Sequence, residues 1–500
     1  MNNVLEMLEN SASKYPDKII FEDESSKISY REFVKSAKLA ATAISKEFDY
    51  GCAVPIYMDK CVETLIWMFG AIYAGCFYTI VDTAHPLTRV ESILSTLKIN
   101  KMLTTKDYVA KLDKMGYTNG CVLCEDIKVD KIDDELISSV RNRHNVLMPL
   151  YCNFTSGSTG IPKGVVVGHA SVIDFISYFT SIFNINSNDI IGNQAPFDFD
   201  VSVKDIYSTI CTGATMVVIP KRKFSFPVEL MDYLVEKEIT TLIWAVSAVC
   251  IISTLKGFTY KVPDKINKVI FSGEVMPIKQ LKIWKEYLPN ALYVNVYGPT
   301  EITCNCTYHI VEDIDDSKGI PIGKPFPNEK VFLLSEEDNL VNKPFEDGEI
   351  CVAGQCLALG YYNNEEQTKK AFVQNPLNTV YNEMIYRTGD LAYYGEDGLL
   401  YYKGRRDFQI KHMGHRIELG EIESAMEQIK EVERACCIFN KDINNIVAFY
   451  KGSVDVKSVK RYLRSKLPAF MVPIKMYNIE EFPLTKNGKI DRNELTKLGE

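Results

Sequence analysis

Apolar runs recur along the chain between polar, turn-rich stretches. Val217-Val218-Ile219, Val269-Ile270-Phe271 and Leu292-Tyr293-Val294-Asn295-Val296 predict buried strands. Glu63 to Tyr73 and Val228 to Lys237 predict covering helices. Such alternation argues for a mostly parallel sheet with helices on both faces. In open sheets of that kind, ligands sit beyond the carboxyl ends of the strands. The stretch 126–145 is charged and irregular and predicts a surface excursion. From Val331 to Tyr402 the texture changes to short strands and turns, including Glu346-Asp347-Gly348 and Glu396-Asp397-Gly398. Beyond Asp407 comes a compact α+β stretch. The expected class is α/β. A large N-terminal domain, residues 1–406, has doubly wound sheets and a small β-barrel-like subdomain. A small α+β domain covers 407–500.

Composition narrows the function classes. Five hundred residues suggest more than one domain, and 46% hydrophobic with 24% charged is ordinary for a globular chain. A net charge of −8 gives no basic footprint for nucleic acid. The first ten residues lack the basic start and apolar core of a secretory signal, and no apolar stretch is long enough to span a bilayer. Fourteen scattered cysteines suit a reducing cytoplasm better than a disulfide framework. Cys121 with Cys124, and Cys304 with Cys306, have no nearby His or second pair, so they predict ordinary thiols rather than zinc ligands.

Chemistry concentrates in residues 155–164, Thr-Ser-Gly-Ser-Thr-Gly-Ile-Pro-Lys-Gly. Hydroxyls at Thr155, Ser156, Ser158 and Thr159 alternate with Gly157 and Gly160, which let backbone N–H groups approach a ligand closely. With Lys163 nearby, the loop suits a polyphosphate. It is not a Walker A loop, because no Gly-Lys-Ser/Thr closes it. A Ser/Gly linker is the alternative. After the apolar strand, Asn295-Val296-Tyr297-Gly298-Pro299-Thr300-Glu301 offers a ring to stack on a base and a carboxylate able to hold Mg²⁺. It also reads as a Gly-Pro turn with an incidental acid. Asp390 in Tyr386-Arg387-Thr388-Gly389-Asp390-Leu391 could accept from ribose hydroxyls. Arg405 in Gly404-Arg405-Arg406-Asp407 offers a cation beside the sugar. Lys489 in Asn487-Gly488-Lys489 is a point charge on a turn. Each of these three, alone, also reads as a turn with solvated charges.

Together these motifs resemble the adenylate-forming enzymes, specifically the adenylation domains of nonribosomal peptide synthesis. Further segments carry the likeness. They are Ile28 to Glu32, Ala74 to Asp82, Gly348 to Tyr361, Gly404 to Glu423 with Gly414-His415-Arg416-Ile417-Glu418, and Leu467 to Pro473. Cys76 and Leu359 depart from the usual residues. The resemblance implies that a carboxylate attacks the α-phosphate of Mg·ATP, that the small mobile C-terminal domain then turns, and that a thiol takes the acyl group. The nucleotide site implied is Thr155, Ser156, Gly157, Ser158, Thr159, Gly160 and Lys163 around the phosphates. To these it adds Gly273, Glu274, Asn295, Val296, Tyr297, Gly298, Pro299 and Thr300, and Asp390, Tyr402 and Arg405 at the ribose. Glu301 would place Mg²⁺, Lys489 would bridge carboxylate and α-phosphate, and Asp407 would be the hinge. ATP and Mg²⁺ are the implied cofactors.

In Ala195-Pro196-Phe197-Asp198-Phe199-Asp200, the resemblance makes Asp200 the partner of a substrate α-ammonium, so the expected substrate is an amino acid. Asp200 could instead cap the helix that follows. The remaining pocket residues implied are Val201, Lys204, Ile243 or Trp244 (Trp244 by preference), Ile270, Ser272, Val296, Cys304 and Asn305. Lys204 is expected to point outward or to pair with Asp200 at i,i+4 rather than touch substrate. Ser272 and Asn305 suggest a small or polar amino acid. Asn193 to Phe197, Ser202 to Tyr207 and Phe271 to Val275 are similar to the stand-alone D-alanine–carrier protein ligases, from which Lys204 and Ser272 depart. Since the sequence stops soon after Lys489, a separate phosphopantetheinylated carrier protein is the expected partner. An acyl- or aryl-CoA ligase is the other enzyme considered. Neither nucleic acid nor a membrane is expected, and the expected location is cytoplasmic.

Overall fold

The computed structural model describes residues 1–498 except 115, 118–119, 157–161, 316–317, 407–408, 441–442 and 485–489. Among the described residues, nine strands form the largest sheet. Its parallel centre runs Leu292–Tyr297, Lys268–Ser272, Thr241–Ala245, Ile190–Asn193, Thr215–Val218, Ile19–Glu22. Antiparallel strands flank it at both ends. A second, seven-stranded sheet contains Phe77–Ile80, Pro149–Thr155 and Lys163–Gly168. The two sheets share one core, in which Ile243, Ile270, Val294 and Val296 meet Ile56, Tyr78 and Tyr151 through intervening helices. The opposite face of the large sheet buries Trp244, Val269, Phe271 and Tyr293 with Trp284 and Leu230. This two-sided burial explains the continuous apolar strand runs.

A third, antiparallel sheet of six strands includes Gly348–Gly354, Met384–Tyr394 and Leu400–Arg405. The predicted helices appear as Val62–Tyr73 and Pro227–Glu236. The stretch expected to be irregular contains a helix, Asp134–Arg143. Asp133 caps it by accepting from Leu136 N–H, and it buries Ile137 and Val140. Two apolar residues three apart are enough to seat a short capped helix, and the charges around them masked that spacing.

The small C-terminal body has a hairpin, Gln409–His412 with His415–Glu418, and a three-stranded sheet of Val432–Asn440, Asn445–Gly452 and Lys475–Asn478. Helices Leu419–Glu427 and Val456–Lys466 pack on one sheet face with Ile422, Leu463 and Ala448. Ile490 packs on the other, beside Cys436, Phe449 and Leu495. The C-terminal body touches the large one through a buried ion pair, Arg89 Nη1 to Glu421 Oε1 at 2.9 Å. Thr88 also donates to the Ser465 and Lys466 carbonyls.

Helices Tyr30–Ile44 and Val62–Tyr73 cross closely in the shared core. Ser29 and Glu32 form a capping box at the first one's start. A Cβ on Gly70 would lie 2.6 Å from the Ala40 Cβ. Helix propensity alone would have Gly70→Ala stabilise by about 1 kcal/mol. Overpacking opposes it, and the expected net result is a loss of about 1–3 kcal/mol. A lower denaturant midpoint would show this; a higher one would mean the helices separate without cost.

Candidate functional site

The parallel strands end at Asn193, Ala245, Ser272 and Tyr297, and Pro149–Thr155 ends at Thr155. Beyond these carboxyl ends lies an open cleft of about 900 Å³, the position such a topology predicts. Thr155, Ser156, Asp200, Val201, Lys204, Ser272, Gly273, Gly298, Pro299, Thr300, Cys304 and Asn305 all line it. Residues 157–160 of the Gly-rich loop, Lys489 and Asp407 fall outside the described residues.

At the strand end, Tyr297 is buried and its hydroxyl donates to Asp390 Oδ2 at 2.5 Å. Arg405 Nη1 reaches Asp390 Oδ1 at 2.9 Å, and the Tyr402 ring lies 6.1 Å from that of Tyr297. The expected base and ribose residues thus form one cluster. Lys411, from the C-terminal hairpin, lies over the Tyr297 ring at 5.1 Å. Asn295 faces elsewhere and donates to the Pro321 carbonyl at 2.9 Å, and Val296 is in the shared core. Lys163 sits 5.5 Å over the Tyr361 ring.

Glu301 is fully buried on a short 3-10 turn, Thr300–Ile302. Its Oε2 accepts from Arg416 Nη1 at 2.7 Å and its Oε1 from the Tyr361 hydroxyl at 2.7 Å. Burial pushes the carboxyl up, but the Arg416 charge and the Tyr361 hydrogen bond outweigh it and hold Glu301 below its ordinary range. The same hairpin is fixed twice more. Gly414 N–H donates to Glu274 Oε1 at 2.8 Å, and Ser156 Oγ donates to the Arg416 carbonyl at 2.6 Å. His415 stacks on Phe470 at 3.5 Å and meets Phe199 edge-on at 4.5 Å.

Asp200 precedes helix Val201–Thr212, yet its side chain makes no capping hydrogen bond. It faces the cleft instead. Burial raises its carboxyl above the ordinary range, against a Thr300 hydrogen bond and the charges of Lys204 and Lys411. The Cys304 thiol donates to the Asp200 carbonyl at 3.1 Å. Thr303 and Cys304 both have left-handed backbone, at φ of 56° and 73°. Thr303 is anchored there by donating to the Cys356 carbonyl at 2.7 Å. This costly turn directs Asn305 into the pocket.

Two expectations are corrected. Lys204 neither points outward nor pairs with Asp200. It is 1% exposed and donates to Asn305 Oδ1 at 2.8 Å and Ser272 Oγ at 3.2 Å. Those oxygens come from the end of strand Lys268–Ser272 and from the loop that follows the Thr300–Ile302 turn, and they outcompete the neighbour one helical turn away. Trp244 is not in the pocket. Strand alternation turns it to the far face, where its Nε1 donates to the Gly192 carbonyl at 2.7 Å and Phe224 packs on it. Ile243, next to it in sequence, shares the pocket-side core with Ile270 and Val296. All three lie beneath the cleft surface. His85, Arg89, Asp198, Lys411 and Arg416 line the cleft without having been assigned a role from sequence. Asp198 and Arg416 stood inside recognised motifs, but no local pattern signalled His85, whose Nε2 lies 3.4 Å from Asp198 Oδ2.

The chain matches the AMP-binding enzyme family over residues 8–362 and the AMP-binding enzyme C-terminal domain over 421–489. It is 30% identical over 508 residues to tyrocidine synthase 1 of Brevibacillus parabrevis, covering 99% of this chain and 45% of that protein. A double mutant of o-succinylbenzoate CoA synthetase from Bacillus subtilis shares the fold at a TM-score of 0.85 and 18% identity, over 99% of this chain and 98% of that one. NpsA-ThdA, an artificially fused adenylation–PCP di-domain from Klebsiella oxytoca, does so at 0.80 and 20%, over 95% and 93%. The chain therefore belongs to the AMP-binding enzyme family and is an adenylate-forming, AMP-forming ligase. It spans less than half the length of the curated relatives it matches. Among the described residues, no helix is long and apolar enough to cross a membrane. None of them form a group of three or more metal-binding side chains.

Glu301→Gln would leave the Arg416 guanidinium buried without its counter-charge, a loss of about 3 kcal/mol or more. The expected result is amide exchange roughly 100-fold faster in 409–418, with 432–440 and 445–452 unchanged. Unaltered exchange in the hairpin would mean that the ion pair does not hold it.

Proposed function

We propose that this enzyme activates an amino acid with Mg·ATP, forming aminoacyl-AMP and pyrophosphate, and then passes the aminoacyl group to the phosphopantetheine thiol of a carrier protein. The observation that carries the amino-acid reading is Asp200. It is a half-buried carboxylate that caps nothing, faces the cleft and is raised by desolvation despite a Thr300 hydrogen bond. A desolvated carboxylate without a direct ion pair is costly, and a substrate α-ammonium supplies one. The cluster of Tyr297, Asp390, Tyr402 and Arg405 suits adenine and ribose, and Thr155 with Ser156 leads into the phosphate loop.

Glu301 has the donor chemistry of a Mg²⁺ ligand, a single carboxylate, which suits an ion held mainly by phosphate oxygens. Such an ion would neutralise phosphate charge during transfer. In the arrangement described, Arg416 already occupies Oε2, so binding there requires Arg416 to withdraw. Lys489 would then bridge the substrate carboxylate and the α-phosphate. In this reading the small body turns about Asp407 between the two half-reactions. D-alanine transfer, as in cell-wall modification, is the nearest alternative, and Lys204 in the pocket argues against so small an apolar side chain. CoA-ligase chemistry has the support of the o-succinylbenzoate CoA synthetase fold, and Asp200 argues against it.

Asp200→Ala should raise the amino-acid KM in ATP–pyrophosphate exchange roughly tenfold or more, with the ATP KM little changed. An unchanged amino-acid KM would remove the ammonium assignment.

A further inference from the structure

Resting on the amino-acid reading, the pocket carries a second polar instruction. Lys204 lies one helical turn after Asp200, and both line the same cleft. An ammonium has three N–H donors. Lys204 spends two, on Ser272 Oγ and Asn305 Oδ1, and both acceptors are neutral.

The other buried charges around the cleft have counterparts. Glu301 meets Arg416, Asp390 meets Arg405, and Asp198 meets His85. Lys411 lies over the Tyr297 ring and in the fields of Asp390 and Asp200. Behind the pocket, Asp205 accepts from Asn193 Nδ2 at 2.6 Å and lies in the fields of Lys204 and Lys60. Among the described residues, neither Asp200 nor Lys204 has a direct ion-pair partner, although Asp200 and Asp205 act on Lys204 through their fields. If Asp200 takes the substrate's α-ammonium, Lys204 is left as a buried cation hydrogen-bonded only to neutral groups, with Asp205 acting on it through its field alone. A pocket in that state is expensive. One further negative charge on the substrate restores the balance, and the α-carboxylate cannot supply it, because it is the group that reacts with ATP. A side-chain amide would satisfy the third N–H but not the charge.

We infer that the enzyme selects an amino acid with a carboxylate in its side chain, and that Lys204, with Ser272 and Asn305 fixing its ammonium, is the residue that reads it.

The test uses the full chain in ATP–pyrophosphate exchange. The probes are both enantiomers of aspartate, glutamate and 2-aminoadipate, with asparagine, glutamine, alanine, leucine, succinate and benzoate beside them. The expected result is one acidic amino acid exceeding its own amide and alanine by about 100-fold or more in kcat/KM. Lys204→Met should bring the acid-to-amide ratio close to one, while Lys204→Arg keeps the acid preferred. The wild-type ratio decides the matter even if the methionine variant does not fold. A neutral amino acid preferred over every acidic one overturns this inference and leaves amino-acid activation standing. Exchange only with acids that lack an amine overturns both.

Discussion

The cleft is governed by the cost of burying charge. Glu301 and Asp390 are fully buried near the carboxyl ends of the strands, and the half-buried Asp200 faces the cleft there. A carboxylate in such surroundings demands a partner worth several kcal/mol. Arg405, from the antiparallel sheet, answers Asp390, and Arg416, from the C-terminal hairpin, answers Glu301. Three structural layers are thereby brought to one point. The hairpin's position is tied to the charge state of a single acid, with Ser156 and Glu274 adding neutral and charge-assisted hydrogen bonds around it. Any cation that engages Glu301 competes directly with Arg416.

The pocket applies the same rule on a smaller scale. Two consecutive left-handed residues, Thr303 and Cys304, hold a strained turn whose effect is to present Asn305 to Lys204. Ser272 reaches the same ammonium from the end of its strand. A lysine in a merely apolar pocket would shed its proton or turn away. Here it is oriented by two oxygens, and burial lowers its pKa against the opposing fields of neighbours that include Asp200 and Asp205. What Lys204 lacks is a direct ion-pair partner, and that requirement falls on the substrate.

Much of this was legible in the chain. The strands Lys268–Ser272 and Leu292–Tyr297 and the helices covering them follow from runs and periods of apolar residues, which respond to local pattern. The phosphate loop, Tyr297, Asp390 and Arg405 stood out because glycines and charges sit at fixed offsets. The choice between Ile243 and Trp244 failed because both are apolar, and only the phase of the strand's alternation, set by its neighbours, decides which faces the pocket. Lys204 was misread for a related reason. The sequence shows its helical neighbour Asp200, but not the strand end and the left-handed turn that bring Ser272 and Asn305 closer. The Arg416–Glu301 pair spans 115 residues and two bodies, so no local signal announces it.

The central claim is that a zwitterionic substrate, held by opposite charges at Asp200 and Lys204, is joined to AMP in this cleft. Its most direct test is unbiased trapping. The enzyme is incubated with Mg·ATP and an equimolar mixture of amino acids, aryl acids and fatty acids, and the enzyme-bound acyl-AMP is identified by mass spectrometry. The account predicts a single aminoacyl-AMP bearing an acidic side chain. An aryl- or fatty-acyl-AMP as the trapped species would contradict it.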